Sequence, residues 1–291
     1  MMQRSYLNIL AMAMVALLLS QCNAFKNQDK KNNLESAEKL YEGALVLMKE
    51  RAYRKAAEQF ALVEQEYPYS KWAIEAQIME AYNFYVDRQY DQAQSVIERF
   101  IRFHPGNDNI PYMYYLRALC SYEQIADITR DQQKTKQALE YLRDIVGRFP
   151  ETEYARDATW KIDLAMDHLA GKELEVARFY IKQNQWIAAI GRLQSVITTY
   201  QRTSHVPEAL YRLTATYYTL GIKTEAQRYA AILGHNYPDN QWYKASYSLL
   251  TGKKDILPPE QSWLERWKPQ SLKRALPPSF IGTNTEEKKK K

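Results

Sequence analysis

The sequence predicts an all-α protein, a solenoid of about five stacked helical hairpins, from two observations on one frame. An aromatic residue or histidine followed by proline recurs at Tyr67-Pro68, His104-Pro105, Phe149-Pro150 and Tyr237-Pro238, with Tyr200-Gln201 as a degenerate fifth copy. Twelve residues before each second position stands an alanine: Ala56, Ala93, Ala138, Ala189 and Ala226. A small residue at that spacing lets two antiparallel helices approach closely. Proline then ends the second helix, because it lacks an N–H and clashes with the preceding turn.

That spacing is the arithmetic of a tetratricopeptide (TPR) array, whose unit is about 34 residues and whose repeats stack into a right-handed superhelix. In the first copy, near 37–70, Leu40, Gly43, Ala44, Leu47, Ala56, Phe60 and Val63 fill the packing positions. The second, near 74–107, places Ala81, Phe84, Ala93, Ile97 and Phe100 there. The third, near 111–152, keeps its second helix through Ala138, Leu142 and Ile145. Its first helix, with Pro111 and Ala118, lies too far upstream, so a loop of about Ile125 to Thr135 is inserted. The fourth, near 170–203, is headed by an extra amphipathic stretch, Tyr154 to Leu169, before Ala177 and Tyr180 restart the frame. The fifth, near 207–240, has Leu210, Tyr217, Ala226, Ala230 and Leu233. Punctuation at every boundary argues against one continuous coiled coil. The solenoid is expected over 34–252, with terminal helices capping it.

The N-terminus carries an address. Arg4 supplies a positive n-region and Leu7 to Leu19 is an apolar run, too short to span a bilayer of about 30 Å, so residues 1–21 read as a secretory signal. Leu19-Ser20-Gln21-Cys22 resembles a bacterial lipobox, although Gln21 replaces the usual small residue. The resemblance implies cleavage before Cys22, its acylation, and a tether over 22–33. Cys22-Asn23-Ala24 also fits a small-x-small site for ordinary signal peptidase, which would remove the cysteine. Asn23, not aspartate, follows the cysteine, and in the lipoprotein sorting pattern this implies forwarding to the outer membrane. The other cysteine, Cys120, reads as a core filler.

Composition excludes several classes. With 46% hydrophobic and 25% charged residues over 291 positions, the chain can bury a sizeable core. The nine glycines are scattered, leaving no phosphate loop, dinucleotide turn or nucleophile elbow. His104, His168, His205 and His235 form no zinc motif, and no paired carboxylates advertise a cleft. No enzyme, metal or cofactor is expected. The formal charge of +6 is scattered and includes the terminal Lys288 to Lys291, too little for a nucleic-acid stripe. The tail, 253–291, is irregular, with Pro258-Pro259, Trp263, Trp267 and Pro277-Pro278; its tryptophans either anchor on a partner or fold back on the last repeat.

One helix face stands out. Turned by about 120° from the packing face, the first helices of the first three repeats carry Tyr41, then Tyr82 and Tyr85, then Tyr112, Tyr115 and Tyr122. Such a concave wall would suit an extended peptide with aromatic side chains, each tyrosine alternatively packing against a neighbouring helix.

The stretch Phe100-Ile101-Arg102-Phe103-His104-Pro105, followed by Asn109-Ile110, Tyr112, Tyr115 and Arg117, resembles the second-to-third repeat junction of the BamD family, lipoproteins of the outer-membrane β-barrel assembly machinery. The block Val176-Ala177-Arg178-Phe179-Tyr180 through Trp186, Ala188 and Arg192, the Asp127 to Asp131 insertion and the extra helix are similar too. The likeness spans roughly 34–250. It implies a non-enzymatic scaffold at the periplasmic face of the outer membrane, held there by lipid on Cys22 and bound to other assembly-complex lipoproteins. Such a scaffold recognises the C-terminal targeting strand of unfolded barrel proteins and docks on the barrel-forming BamA subunit. Arg192 matches a family arginine on the BamA side, which makes Tyr180, Trp186 and Arg192 candidates for that contact, Trp186 alternatively being a repeat-core residue. Two rival readings are a pilotin-like periplasmic repeat scaffold and a glycan-binding lipoprotein that stacks sugars on the tyrosines.

Overall fold

A computed structural model describes residues 36–252, all helix and turn among them, in two compact units divided after Asn107. The lipobox, Cys22 and the tail after Gly252 lie outside the described residues.

The first unit holds two hairpins: α1 (36–49) with α2 (Tyr53–Glu66), and α3 (Lys71–Val86) with α4 (Tyr90–Phe103). The frame residues Ala44, Ala56, Phe60, Val63, Ala81, Ala93, Ile97 and Phe100 are fully buried. Helix α3 has no polar face: its buried positions include Gln77, Glu80 and Asn83 as well as the apolar ones. A buried amide must find partners, and Asn83 Nδ2 donates to the Met79 carbonyl one turn back at 2.8 Å.

The second unit runs α5 (Ile110–Tyr122), α6 (Gln133–Arg148), α7 (Glu153–Lys182), α8 (Trp186–Thr199), α9 (Val206–Thr219), α10 (Lys223–Asn236) and α11 (Gln241–Thr251). Its C-terminal core gathers Leu174, Ala177, Leu193, Val196, Leu210, Leu213 and Leu233. Cys120 is fully buried in α5.

The five punctuation residues are the C-caps of α2, α4, α6, α8 and α10, each donating its N–H to the carbonyl four residues back. Their backbones agree closely, from φ −119°, ψ 43° at Tyr200 to φ −139°, ψ 55° at Tyr237. Tyr200 does this with glutamine after it, so the cap geometry does not require proline. Within the hairpins a second signature appears: Arg51, Arg88, Asn184 and Gly221 all adopt positive φ just before the second helix. Only Gly221 meets that demand without a Cβ penalty.

Two local features differ from expectation in detail. The inserted loop ends at Gln132 rather than Thr135, because Gln132 Nε2 donates to the Asp127 and Arg130 carbonyls, both at 3.1 Å, and α6 starts immediately after. Ile128 pins the loop with 1% exposure, and His168 Nε2 lies 2.8 Å from the Ala126 carbonyl, which makes that nitrogen the protonated one. The extra helix and the first helix of the fourth repeat are one continuous 30-residue helix, α7. Thr152 starts it, its Oγ1 accepting from Ala155 N at 3.2 Å, and no proline interrupts it.

Candidate functional site

In the first unit the expected tyrosines lie on α1 and α3. Tyr41 packs between Phe60, at 5.2 Å between ring centroids, and Trp72, at 4.8 Å. Burial, with Glu75 nearby, pushes its hydroxyl up to about 12. Tyr82 and Tyr85 are buried on α3, the Tyr85 ring 6.0 Å from Tyr90.

In the second unit α5 contributes Tyr112, Tyr115 and Tyr122, and α7 lays its first two turns against them. Tyr154 sits 5.8 Å from Tyr112 and 5.2 Å from Tyr115, ring to ring. The Tyr115 hydroxyl donates to Asp157 Oδ2 at 2.5 Å, and Lys161 Nζ reaches the same oxygen at 2.6 Å. The Lys161 ammonium also stands 5.6 Å from the centre of the Tyr122 ring and 5.9 Å from that of Tyr115, within range for a cation–π contribution. Burial first, then Glu123 and Asp157, pushes the Tyr122 hydroxyl up to about 12. The cluster therefore packs phenol rings around one Lys–Asp pair.

Five of the six tyrosines are at most 6% exposed, with Tyr112 at 0%; only Tyr122 stays half-buried. They line their units as packed rings rather than as an open row. Tyr154, Asp157 and Lys161 were not singled out from the sequence. The signal was present in their spacing of three and then four residues on the amphipathic stretch, which puts them on one helical face.

The residues expected to meet a barrel subunit lie at the other end of α7 and along α8. Tyr180 and Phe179 pack edge to face at 5.8 Å, and Trp186 opens α8 across a turn at Asn184. Tyr180 and Trp186 are half-buried, whereas Phe179 is 57% and Ile187 85% exposed. Arg192, six residues into α8 from Trp186, is exposed and donates from Nη1 to Glu173 Oε2 on α7 at 3.1 Å. Phe179 and Ile187 are the residues the sequence reading passed over; both fall off the repeat packing frame, which is the only hint of their exposure. Among the described residues no helix is long and apolar enough to cross a membrane.

These features define a helical-repeat protein of the TPR type, with tyrosine rings packed within each unit and exposed apolar residues near the α7–α8 turn. The family described as YfiO, outer membrane lipoprotein, matches residues 33–233, and the chain belongs to that family. An outer membrane protein assembly factor BamD of Caulobacter vibrioides is 48% identical over 68% of this chain and 65% of its own length. The BamD of Rickettsia prowazekii is 39% identical over 82% of this chain and 95% of its own length. Among solved structures, YrrB, a TPR protein with an unusual peptide-binding site, is 14% identical over 72% of this chain and 90% of that one, with a TM-score of 0.32. The protein functions in outer membrane protein assembly, as its family does.

Proposed function

We propose that the chain is a non-enzymatic scaffold, anchored through lipid on Cys22 to the periplasmic face of the outer membrane, which brings unfolded barrel proteins to a BamA-type insertase. The C-terminal targeting strand of a client binds the tyrosine-lined faces, Tyr41, Tyr82 and Tyr85 in one unit and Tyr112, Tyr115 and Tyr122 in the other. The insertase, with other lipoproteins of its complex, docks at the α7–α8 turn through Tyr180, Trp186 and Arg192, joined by Phe179 and Ile187. Holding both raises the local concentration of client beside the insertase, with no nucleotide or cofactor in the cycle.

The observation that carries the docking half is the exposure of Phe179 and Ile187, two large apolar residues near the α7–α8 turn. Apolar groups left open on a helical surface, on the same two helices as an exposed arginine, supply residue types found at interface centres. Affinity purification of the full-length protein from its native envelope, with mass spectrometry of partners and of the mature N-terminus, tests the whole reading. A BamA-type barrel and an acylated Cys22 are expected. Phe179→Ser with Ile187→Ser should lose the barrel subunit and keep the acylation. A secretin or pilus partner in its place would overturn the reading.

A further inference from the structure

A solenoid of repeats has an unsolved problem at its last hairpin, because each repeat buries its apolar side only against the next. Here α11 covers α9 and packs on α10, but the outer side of the α10–α11 pair remains an apolar groove of about 410 Å³. Its lining includes Ala230, Ala231, Gly234, Tyr243, Tyr247 and Leu250. The floor is shaped for close packing: a Cβ on Gly234 would come within 2.5 Å of the Tyr243 ring. Its rim is open, with Tyr247 51% exposed.

We propose that this groove is filled by the chain's own segment Ile256 to Trp267, which thereby acts as the terminal cap of the array. Position favours this occupant first. Helix α11 ends at Gly252 in the left-handed conformation, φ 74°, a cap that stops the helix there, so the chain that follows starts at the end of the groove. The stretch from Gly252 to Trp263 reaches roughly 35 Å when extended, whereas the 11-residue α11 is about 16 Å long, so Trp263 can come alongside any part of the groove.

Chemistry favours it second. The segment carries Ile256, Leu257, Trp263, Leu264 and Trp267, apolar side chains for a groove walled mostly by alanines, leucine and tyrosine rings, with Gln227 and His235 at its polar edge to meet indole N–H groups. Pro258-Pro259 restricts the backbone before docking and lowers its entropy cost. A tether this short holds its end at an effective concentration in the millimolar range, ahead of any separate partner of equal affinity.

The test replaces Tyr247 with the photocrosslinking amino acid p-benzoylphenylalanine in the full-length protein. Crosslinked peptides are mapped by mass spectrometry, with and without Trp263→Ala and Trp267→Ala. The expected product joins position 247 to residues within 256–267 of the same chain, and its yield falls at least five-fold in the double tryptophan variant. Hydrogen exchange in peptides over 227–251 should rise at least ten-fold in that variant, while exchange over α7 and α8 stays unchanged. A crosslink to a second copy or to a different protein, no crosslink at all, or exchange over 227–251 insensitive to the tryptophans would each overturn the proposal.

Discussion

Glu80 on α3 and Arg99 on α4 meet at 3.2 Å, and the same guanidinium nitrogen of Arg99 lies 2.8 Å from Glu64 on α2, tying three helices through one cation. The two carboxylates are not equivalent. Glu80 is 5% exposed, and its burial pushes the carboxyl up to about 7 although Arg99 pulls it down; Glu64 adds to the rise.

A pH dependence of stability follows. An unfolded glutamate titrates near about 4.3, so between roughly pH 4.5 and 7 the folded chain retains a proton that the unfolded chain has lost. Stability contributed by this group is therefore full below that window and falls across it as pH rises through 7, by about 3 kcal/mol in all. Glu80→Gln should flatten this part of the profile in urea unfolding measured from pH 5 to 8. An identical slope in the variant would remove Glu80 as its source.

Glu208 behaves in the opposite way. Burial raises its carboxyl, but Arg178, forked onto both oxygens at 2.8 and 2.6 Å, and Arg212 at 2.7 Å outweigh it and hold it below the usual range. Arg178→Met should destabilise the second unit by about 3 kcal/mol, since it strips a buried carboxylate of its bidentate partner. Arg178→Lys should recover only part of that, because an ammonium cannot reproduce the planar fork. A loss under about 0.5 kcal/mol in denaturant titration would show the network to be dispensable.

Client binding by the tyrosines needs gentle probes. Truncating a buried ring costs about 3 to 5 kcal/mol, so Tyr85→Ala with Tyr115→Ala must be read beside a melting curve. At a temperature where circular dichroism shows the double variant folded, its affinity for peptides ending in a barrel targeting strand should drop at least ten-fold. Tyr115→Phe keeps the ring against Tyr154 and loses the hydroxyl that bonds Asp157, which should cost about 1 kcal/mol of stability. Unchanged peptide affinity in the folded double variant would move the client elsewhere.

Arg192→Glu should weaken association with the barrel subunit by about 2 kcal/mol, read by pull-down titration. The exposed pair with Glu173 adds little to folding, so stability should change by less than about 1 kcal/mol. Combining it with Glu173→Arg restores an internal pair but not the charge presented by α8. Recovery of binding in that double variant would show that the pair positions the helix instead of touching the partner.

The repeat frame was legible because its signals are local. A C-cap depends on one residue and the four before it, so Tyr200 could be placed in register even without its proline. Continuity of α7 was not legible, since a helix running through Ala170-Gly171-Lys172 and a break followed by a restart share the same apolar period. The burial of Tyr82 and Tyr85 was hidden for a different reason. Periodicity tells which residues share a face, but α3 is covered on nearly all sides, and cover depends on neighbours distant in sequence. Phe179 and Ile187 show the converse: apolar residues that packing leaves outside.

Helix α7 carries Tyr154, Asp157 and Lys161 near one end and Tyr180 at the other, on a single rod of about 45 Å. A rod cannot take up a push by bending at a joint it does not have. A tilt of about 5° around its midpoint moves both ends by about 2 Å in opposite senses, given that length. In the proposed scaffold, a client that tilts α7 at its first turns carries with it the platform from which Trp186 and Arg192 project.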